Sequence, residues 1–199
     1  AILIGGDRPS APGEFENYGI FINENGKIGG EYLKQHPVPF GEYIPFRKYL
    51  DWIPPLSLVP RDMVRGTQQE VFSTNKNDIK ISTVISFEGS FDRYIRNSVI
   101  QGAEVVVILT NQASYGKSGM SDQFILMSRA NAISNNRDIA HAAITGKSAF
   151  ISGIDGEIYS STALFMDAVL TEKIKTSNTV TLYTRWGNYL NYVLILFGI

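Results

Sequence analysis

Five consecutive aliphatic residues, Val105-Val106-Val107-Ile108-Leu109, constrain this 199-residue chain more than any other feature. A half-buried strand alternates apolar and polar side chains. An unbroken, mostly β-branched run presents apolar groups to both faces. Residues 103–110 are therefore expected to form a buried central strand. Neighbouring patterns agree with a sheet protein. Ile79, Ile81, Thr83 and Ile85 alternate with Lys80, Ser82, Val84 and Ser86, which predicts a strand over residues 78–87. Residues 88–101 read as a helix with Phe91, Tyr94, Ile95 and Val99 on one side and Gly102 at its stop. Residues 122–135 read as a second helix, with Asp122 as N-cap and Phe124, Met127, Ala130 and Ile133 inward. Further strands are expected at 1–6, 139–145, 163–170 and 179–183. Hairpins are expected around Asn25-Gly26 and Asp155-Gly156. Strands interleaved with two helices predict an α/β sandwich with antiparallel hairpins.

Composition narrows the function. Hydrophobic residues make up 44% and charged residues 19%, a globular balance. The absence of cysteine excludes a disulfide scaffold, a thiolate zinc site and a cysteine nucleophile in this chain. With 18 basic and 19 acidic residues, no general grip on nucleic acid is expected. His36 and His141 are the only histidines, so no metal or cofactor is expected. Six of the eight prolines lie between Pro37 and Pro60. That density predicts a long, partly rigid loop, and its apolar side chains from Phe40 to Leu58 predict a packed lid or a contact with something greasy. The chain opens inside an apolar run, which reads as a cut. Residues 189–199 are almost wholly apolar but about half the ~20 residues a membrane helix needs. They read either as a last buried element or as the start of a membrane-spanning segment with Trp186, Tyr189 and Tyr192 at the interface.

Three places carry candidate chemistry. Residues 111–118 follow the central strand as Asn-Gln-Ala-Ser-Tyr-Gly-Lys-Ser, but Asn111 stands where a phosphate loop needs glycine, which argues against a nucleotide site. Lys34 and Glu42 flank a proline-fixed bend. They are either an exposed lysine and a solvated carboxylate, or a Lys–carboxylate pair able to serve an oxyanion. Ser86 and Glu88 sit at a strand-to-helix turn, where a serine is either a plain N-cap or a nucleophile held above the sheet edge.

Taken together, these segments resemble bacterial apolipoprotein N-acyltransferase. Tyr-Leu-Lys-Gln-His-Pro-Val-Pro-Phe-Gly-Glu-Tyr-Ile-Pro, from Tyr32 to Pro45, resembles that family's lysine motif. Ile85-Ser86-Phe87-Glu88 stands at its Cys-Tyr-Glu nucleophile turn, and Thr110 to Gly116 resembles its Ser-Asn-Asp-Ala-Trp-Phe-Gly loop. Gln123 through Arg129-Ala130 to Arg137 fits its His-x-x-x-Ala-Arg helix. Thr145-Gly146 and Thr184-Arg185-Trp186-Gly187-Asn188 resemble two later motifs.

The resemblance implies a nitrilase-like α-β-β-α sandwich, truncated at its N-terminus, over residues 1–188. A membrane-spanning segment would begin at 189–199. The domain would lie on the extracytoplasmic side of the bacterial plasma membrane. It implies fatty acyl transfer from a phospholipid to the N-terminal amine of a lipoprotein's lipid-modified cysteine, through an acyl-enzyme. Lys34 would stabilise the oxyanion, Glu42 would hold that lysine, Ser86 would stand at the nucleophile position and Glu88 just after it. The greasy stretch after Glu42 would be a membrane-facing lid. Two departures matter. Ser86 replaces a cysteine, and a hydroxyl is a far weaker acid than a thiol. The family's general-base glutamate stands in a Pro-Glu context that none of Asp7, Glu14, Glu16, Glu24 or Glu31 shares, so it is expected before Ala1. The serine reflects either a substituted nucleophile or an eroded paralogue that binds lipid or lipoprotein without catalysis. A soluble nitrilase-family amidase is the third reading.

Overall fold

Ten strands sort into two sheets in the computed structural model, which describes residues 1–50 and 52–198. The first sheet comprises β1 (Ile2–Pro9), β2 (Glu14–Ile22), β3 (Ile28–Leu33) and the short β4 (Asp62–Met63). β1, β2 and β3 form an antiparallel meander, and β4 adds in parallel to the start of β2. The second sheet has the order β10-β9-β8-β7-β6-β5. Its members are β5 (Val71–Ser73), β6 (Lys80–Ile85), β7 (Val105–Thr110), β8 (Asp138–Ala143), β9 (Ala149–Ile151) and β10 (Ile158–Ser161). β6, β7 and β8 are parallel; the outer pairs are antiparallel.

The apolar run at 105–109 is the middle of the parallel trio, as its pattern requires. Val106 and Ile108 face the helices α2 (Asp92–Ile100) and α3 (Met120–Asn135), in a core with Val84, Ile95, Val99 and Ile139. Leu109 faces the other way, towards the first sheet. A Cβ placed on Gly5 or Gly19 would stand 3.4 Å from its side chain, and at Gly19 also 3.1 Å from Thr83. These glycines let the sheets approach. A second cluster between the sheets joins Phe21, Tyr32, Phe72 and Ile85, with Phe21 and Phe72 stacked at 5.2 Å. Enclosing each large side chain contributes about 1.5–3 kcal/mol. The layers therefore run sheet, sheet, helices, and every substantial helix–strand contact among the described residues goes to the second sheet.

Several expectations need correction. Residues 163–170 and 179–183 form no strand; the latter lead into a short helix, α4 (Leu182–Trp186). α3 begins at Met120, so Asp122 lies in its first turn and pairs with Lys147 instead of capping. Its buried face is Ser121, Phe124, Ile125, Ser128, Asn131, Ala132 and Asn135, while Met127, Ala130 and Ile133 point outward. The polar residues turn inward because they find partners there. Ser128 meets His141, Asn131 donates to the Gly89 carbonyl and Asn135 accepts from Thr184. The proline-rich stretch is a loop with short helical turns, α1 (Arg47–Leu50) and a 3-10 turn at Pro54–Leu58. Ile44 and Val59 are buried within it, whereas Phe46, Trp52 and Leu58 are exposed. The apolar C-terminal segment forms α5 (Tyr189–Leu196), and Ile199 lies outside the described residues. No helix among the described residues is long and apolar enough to cross a membrane.

Candidate active site

Parallel strands expose their carboxyl ends along one sheet edge, where ligand sites form in open α/β folds. At that edge β6, β7 and β8 end beside the open strand β1, and the gap between them is a cavity of about 680 Å³. Leu3, Ile4, Ile85, Leu109 and Ile144 supply apolar wall. Asp7, Asn17, Glu42, Ser86, Thr110 and Asn111 supply the polar groups.

Ser86 follows the last residue of β6 and begins a 3-10 turn, Ser86–Ser90. Its φ of +55° is a left-handed conformation that costs a non-glycine residue strain. The turn's N-cap is Ile85, so Ser86 is not the plain cap that was one reading of its position. The sharp turn holds its side chain at the cavity wall, the geometry of a nucleophile elbow.

Glu88, two residues on, is fully enclosed and does not line the cavity. One carboxylate oxygen accepts from the backbone N–H of Gln35 (2.6 Å) and His36 (2.9 Å). The other accepts from the Ile85 N–H (2.9 Å) and the Tyr32 hydroxyl (2.8 Å). Glu88 thus ties the Ser86 turn to the segment just after β3. Burial raises its pKa, against the pull of those four donors.

That tied segment carries Lys34, whose side chain is 0% exposed. Its Nζ lies 2.5 Å from Glu42 Oε1, and Glu42 Oε2 accepts from the Val38 N–H at 2.8 Å. The bend through Pro37 and Pro39 thus folds Glu42 back onto Lys34, and the pairing reading holds over the solvated one. Glu42 reaches the cavity wall; Lys34 sits behind it. An enclosed charge is retained only with a partner, and removing one member of such a pair costs about 3–5 kcal/mol.

The resemblance motifs at 110–116 and 145–146 also meet here. Asn111 Oδ1 accepts from Thr145 Oγ1 at 2.7 Å and from the Ala113 N–H at 3.1 Å. The Gln112 N–H donates to the Thr145 carbonyl. This side-chain clamp holds the loop at its start, and Gly116, at a φ of +54°, closes its turn.

Two wall residues were not expected. Asp7 and Asn17 are register partners on β1 and β2, and the Lys34 N–H donates to the Asn17 carbonyl. Asp7, Asn17 and Lys34 therefore form one row across the sheet, facing the second sheet. A period-2 count along β1 could have found Asp7. Leu3, Gly5 and Asp7 share a face, while Arg8 on the other face pairs with Glu16 and Glu31. Crowding by neighbouring atoms and then the Glu42 carboxylate raise the Asp7 pKa, against the opposing pull of Lys34 and Arg61. No group of three His, Asp or Glu side chains among the described residues could hold a metal ion.

Comparison with known proteins bears on this arrangement. The carbon-nitrogen hydrolase family profile matches residues 1–183. An apolipoprotein N-acyltransferase from Haemophilus ducreyi is 33% identical over 165 residues, covering 82% of this chain and 32% of that protein. One from Geobacter metallireducens is 30% identical over 182 residues, covering 92% of this chain and 34% of that protein. The chain thus spans about a third of the length of these relatives. Among solved structures, the amidase from Nesterenkonia sp. AN1 superposes with a TM-score of 0.60 at 17% identity, covering 81% of this chain and 56% of that one. That structure is a glutamate-to-glutamine mutant with the acetamide moiety of fluoroacetamide added covalently at its active-site cysteine. At that identity the likeness shows the fold alone.

Proposed function

The chain belongs to the carbon–nitrogen hydrolase family, and from that premise we propose that it is the acyl-transfer domain of an apolipoprotein N-acyltransferase-like protein. The observation that carries the reading is the convergence at one cavity of Ser86, at a strained strand end, with Glu42, which pairs with the enclosed Lys34 behind it. In the proposed reaction the residue at position 86 attacks a phospholipid ester carbonyl. The negative charge that develops on the carbonyl oxygen is met by the Lys34 ammonium, and Glu42 fixes that ammonium in place. The glycerol oxygen leaves as a hydroxyl, carrying the proton that residue 86 gives up, and the acyl chain stays on residue 86. The N-terminal amine of a lipoprotein's diacylglyceryl-cysteine then takes the chain as an amide. Apolar wall from Leu3, Ile4, Leu109 and Ile144 suits a fatty chain. Exposed Phe46, Trp52 and Leu58 suit a lid against the outer surface of the bacterial plasma membrane, with α5 leading into that membrane.

Serine at position 86 supports a second reading, a binding module that recognises lipid or lipoprotein without turnover, because a hydroxyl needs a stronger base than a thiol. A soluble amidase is less well supported, since the acyltransferases share about twice the identity of the superposed amidase. The three readings part in one experiment. Ser86→Cys in the full-length protein is incubated with phosphatidylethanolamine vesicles and inspected by intact-protein mass spectrometry. A fatty acyl adduct on Ser86→Cys, absent when Lys34→Ala is added, is expected. No adduct, or an undiminished adduct without Lys34, overturns the proposal. Hydrolysis of small soluble amides with no lipid adduct favours the amidase.

A further inference from the structure

Beside the Ser86 turn, hydrogen-bond donors converge with no anionic acceptor to meet them. Phe87, the turn's next residue, lies against His36 with ring centroids 6.0 Å apart. The His36 N–H is held by Glu88, and its ring meets Phe91 edge-on at 4.8 Å and Tyr94 at 5.9 Å. Arg93, in the first turn of α2, reaches the same ring. Its Nη2 lies 3.0 Å from His36 Nδ1 and 3.0 Å from the Tyr94 hydroxyl. A guanidinium has no acceptor, so Nδ1 accepts and the imidazole proton sits on Nε2. Arg65 approaches from the segment after β4. The Gly66 N–H donates to the Lys34 carbonyl, which places Arg65 alongside the segment that carries His36. A solvated arginine normally extends into water. These two lie down on aromatic faces instead, Arg93 over Phe91 and Tyr94 at 5.1 and 4.8 Å and Arg65 over Tyr43 at 5.3 Å. Both remain open to solvent. Among the described residues neither pairs with a carboxylate, and His36 Nε2 has no hydrogen-bond partner. The charges that act on His36 are Arg93, Arg65, Lys34 and, in the opposite sense, Glu42. Lys34 and Glu42 neutralise each other, so two guanidinium charges remain. Burial and these cations lower the His36 pKa, which leaves the ring neutral at pH 7 with Nε2–H as a donor. Two planar cations and one N–H donor match an anion with several acceptor oxygens, and neither a cation nor an apolar chain.

We propose that Arg93, Arg65 and His36 form a phosphate-ester subsite, which holds the phosphodiester of the donor lipid while residue 86 attacks its ester carbonyl. This rests on the acyl-transfer reading and names the groups that select the donor. A phospholipid carries its phosphate only a glycerol's length from the ester that is cleaved, and the cluster touches the residue next to position 86. The two guanidiniums take phosphate oxygens by charge-assisted hydrogen bonds, and His36 Nε2 donates one more. The headgroup charge is thus met by cations separate from Lys34, which stays enclosed and paired with Glu42 for the oxyanion. A diacylglycerol has the same esters and no phosphate, and is the lipid that this arrangement discriminates against.

The test reads the His36 ring by proton NMR and needs no turnover. The chain has two histidines, and His141 is enclosed with a pKa of about 4, so the two titrate apart; His36→Gln assigns the signals. Dihexanoylphosphatidylethanolamine below its micelle concentration, inorganic phosphate and diacetylglycerol are each titrated at low salt into the full chain, Arg93→Gln and Arg65→Gln. The phospholipid is expected to move the His36 signals and to raise the His36 pKa, because a bound anion offsets the two arginines. Each arginine substitution is expected to weaken that binding about 10-fold, with an unchanged urea midpoint showing that the fold is intact. Diacetylglycerol should leave His36 unmoved, and inorganic phosphate should bind more weakly than the phospholipid. His36 signals that ignore the phospholipid, or respond equally in Arg93→Gln and Arg65→Gln, overturn the subsite. Tighter binding of inorganic phosphate than of the phospholipid assigns the cluster to free phosphate and overturns its headgroup role. Acylation of Ser86→Cys is read separately. A chain that binds the phospholipid through Arg93 and Arg65 but never acylates keeps the subsite and sinks the transferase reading.

Discussion

Two polar knots are buried against opposite faces of the parallel strands β6–β8, and they handle charge in opposite ways. Between the sheets, Glu88 is enclosed as a carboxylate with four donors, next to the ion pair of Lys34 and Glu42. On the helix side, His141 Nδ1 lies 3.0 Å from Ser128 Oγ and its Nε2 lies 3.4 Å from the Gln112 amide, which in turn accepts from Ser121. Burial alone lowers the His141 pKa to about 4, so this knot is neutral at pH 7. Each knot steadies one wall of the cavity, the first the Ser86 turn and the second the loop after β7. Burying charge is costly and burying satisfied neutral groups is cheap. Charge is thus retained on the side of the sheet where the proposed chemistry uses it.

Glu88→Ala should separate the knots most strongly. It leaves the N–H groups of Gln35, His36 and Ile85 and the Tyr32 hydroxyl without their acceptor, and should cost about 3–5 kcal/mol in urea unfolding. A loss below about 1 kcal/mol would mean that water replaces the carboxylate, and the contrast would fail.

Acid should then act on the two knots with opposite signs. The folded pKa of His141 lies below its ordinary 6.5, so the unfolded chain binds more protons between those values. Stability is therefore lost as pH falls from 6.5 to about 4. About 2.5 units at 1.36 kcal/mol each amount to about 3 kcal/mol. Glu88 has a raised pKa, so the native state binds its proton more readily, and falling pH works in its favour. In urea titrations across this window, His141→Gln should flatten the acid loss. His36 titrates in the same direction and is kept in both proteins, so it does not confuse the comparison. An unaltered slope would remove His141 as the cause.

The smallest effect on stability is expected far from either knot. Trp52→Gln with Leu58→Ser alters side chains that are 79% and 84% exposed, so unfolding should shift within about 0.5 kcal/mol. Vesicle co-sedimentation should nonetheless weaken several-fold, because apolar area that could enter a lipid interface is lost. A large change in stability with unchanged vesicle binding would show that the proline-rich stretch packs inward.

Much of the fold was legible because its signals are local. The run at 105–109, the alternation at 79–86 and the turns at Asn25-Gly26 and Asp155-Gly156 each encode a short-range pattern that the strands then follow. The pairing of Lys34 with Glu42 was legible as one of two readings, because proline fixes the bend between them. The inward face of α3 was not. Hydrophobicity placed Met127 and Ile133 inside, but Ser128, Asn131 and Asn135 find partners on β8, the Ser86–Ser90 turn and α4 that no local pattern reveals. The expected strands at 163–170 and 179–183 failed for a related reason: apolar residues alone do not make a strand, and neither segment joins a ladder of either sheet.

Short-range periodicity and composition, which belong to the sequence itself, determined the central strand, the strand-end turn at Ser86 and the absence of any thiol from the chain. The tertiary structure alone decided that Glu88 lies beneath the site rather than in it, and that Asp7 lies on the cavity wall. Both depend on which strands become neighbours. Asp7 reaches the cavity through its register with Asn17, and three of the four donors that enclose Glu88 lie more than fifty residues away along the chain. Contacts of that range arise from sheet pairing and layer packing, which no single stretch of sequence encodes.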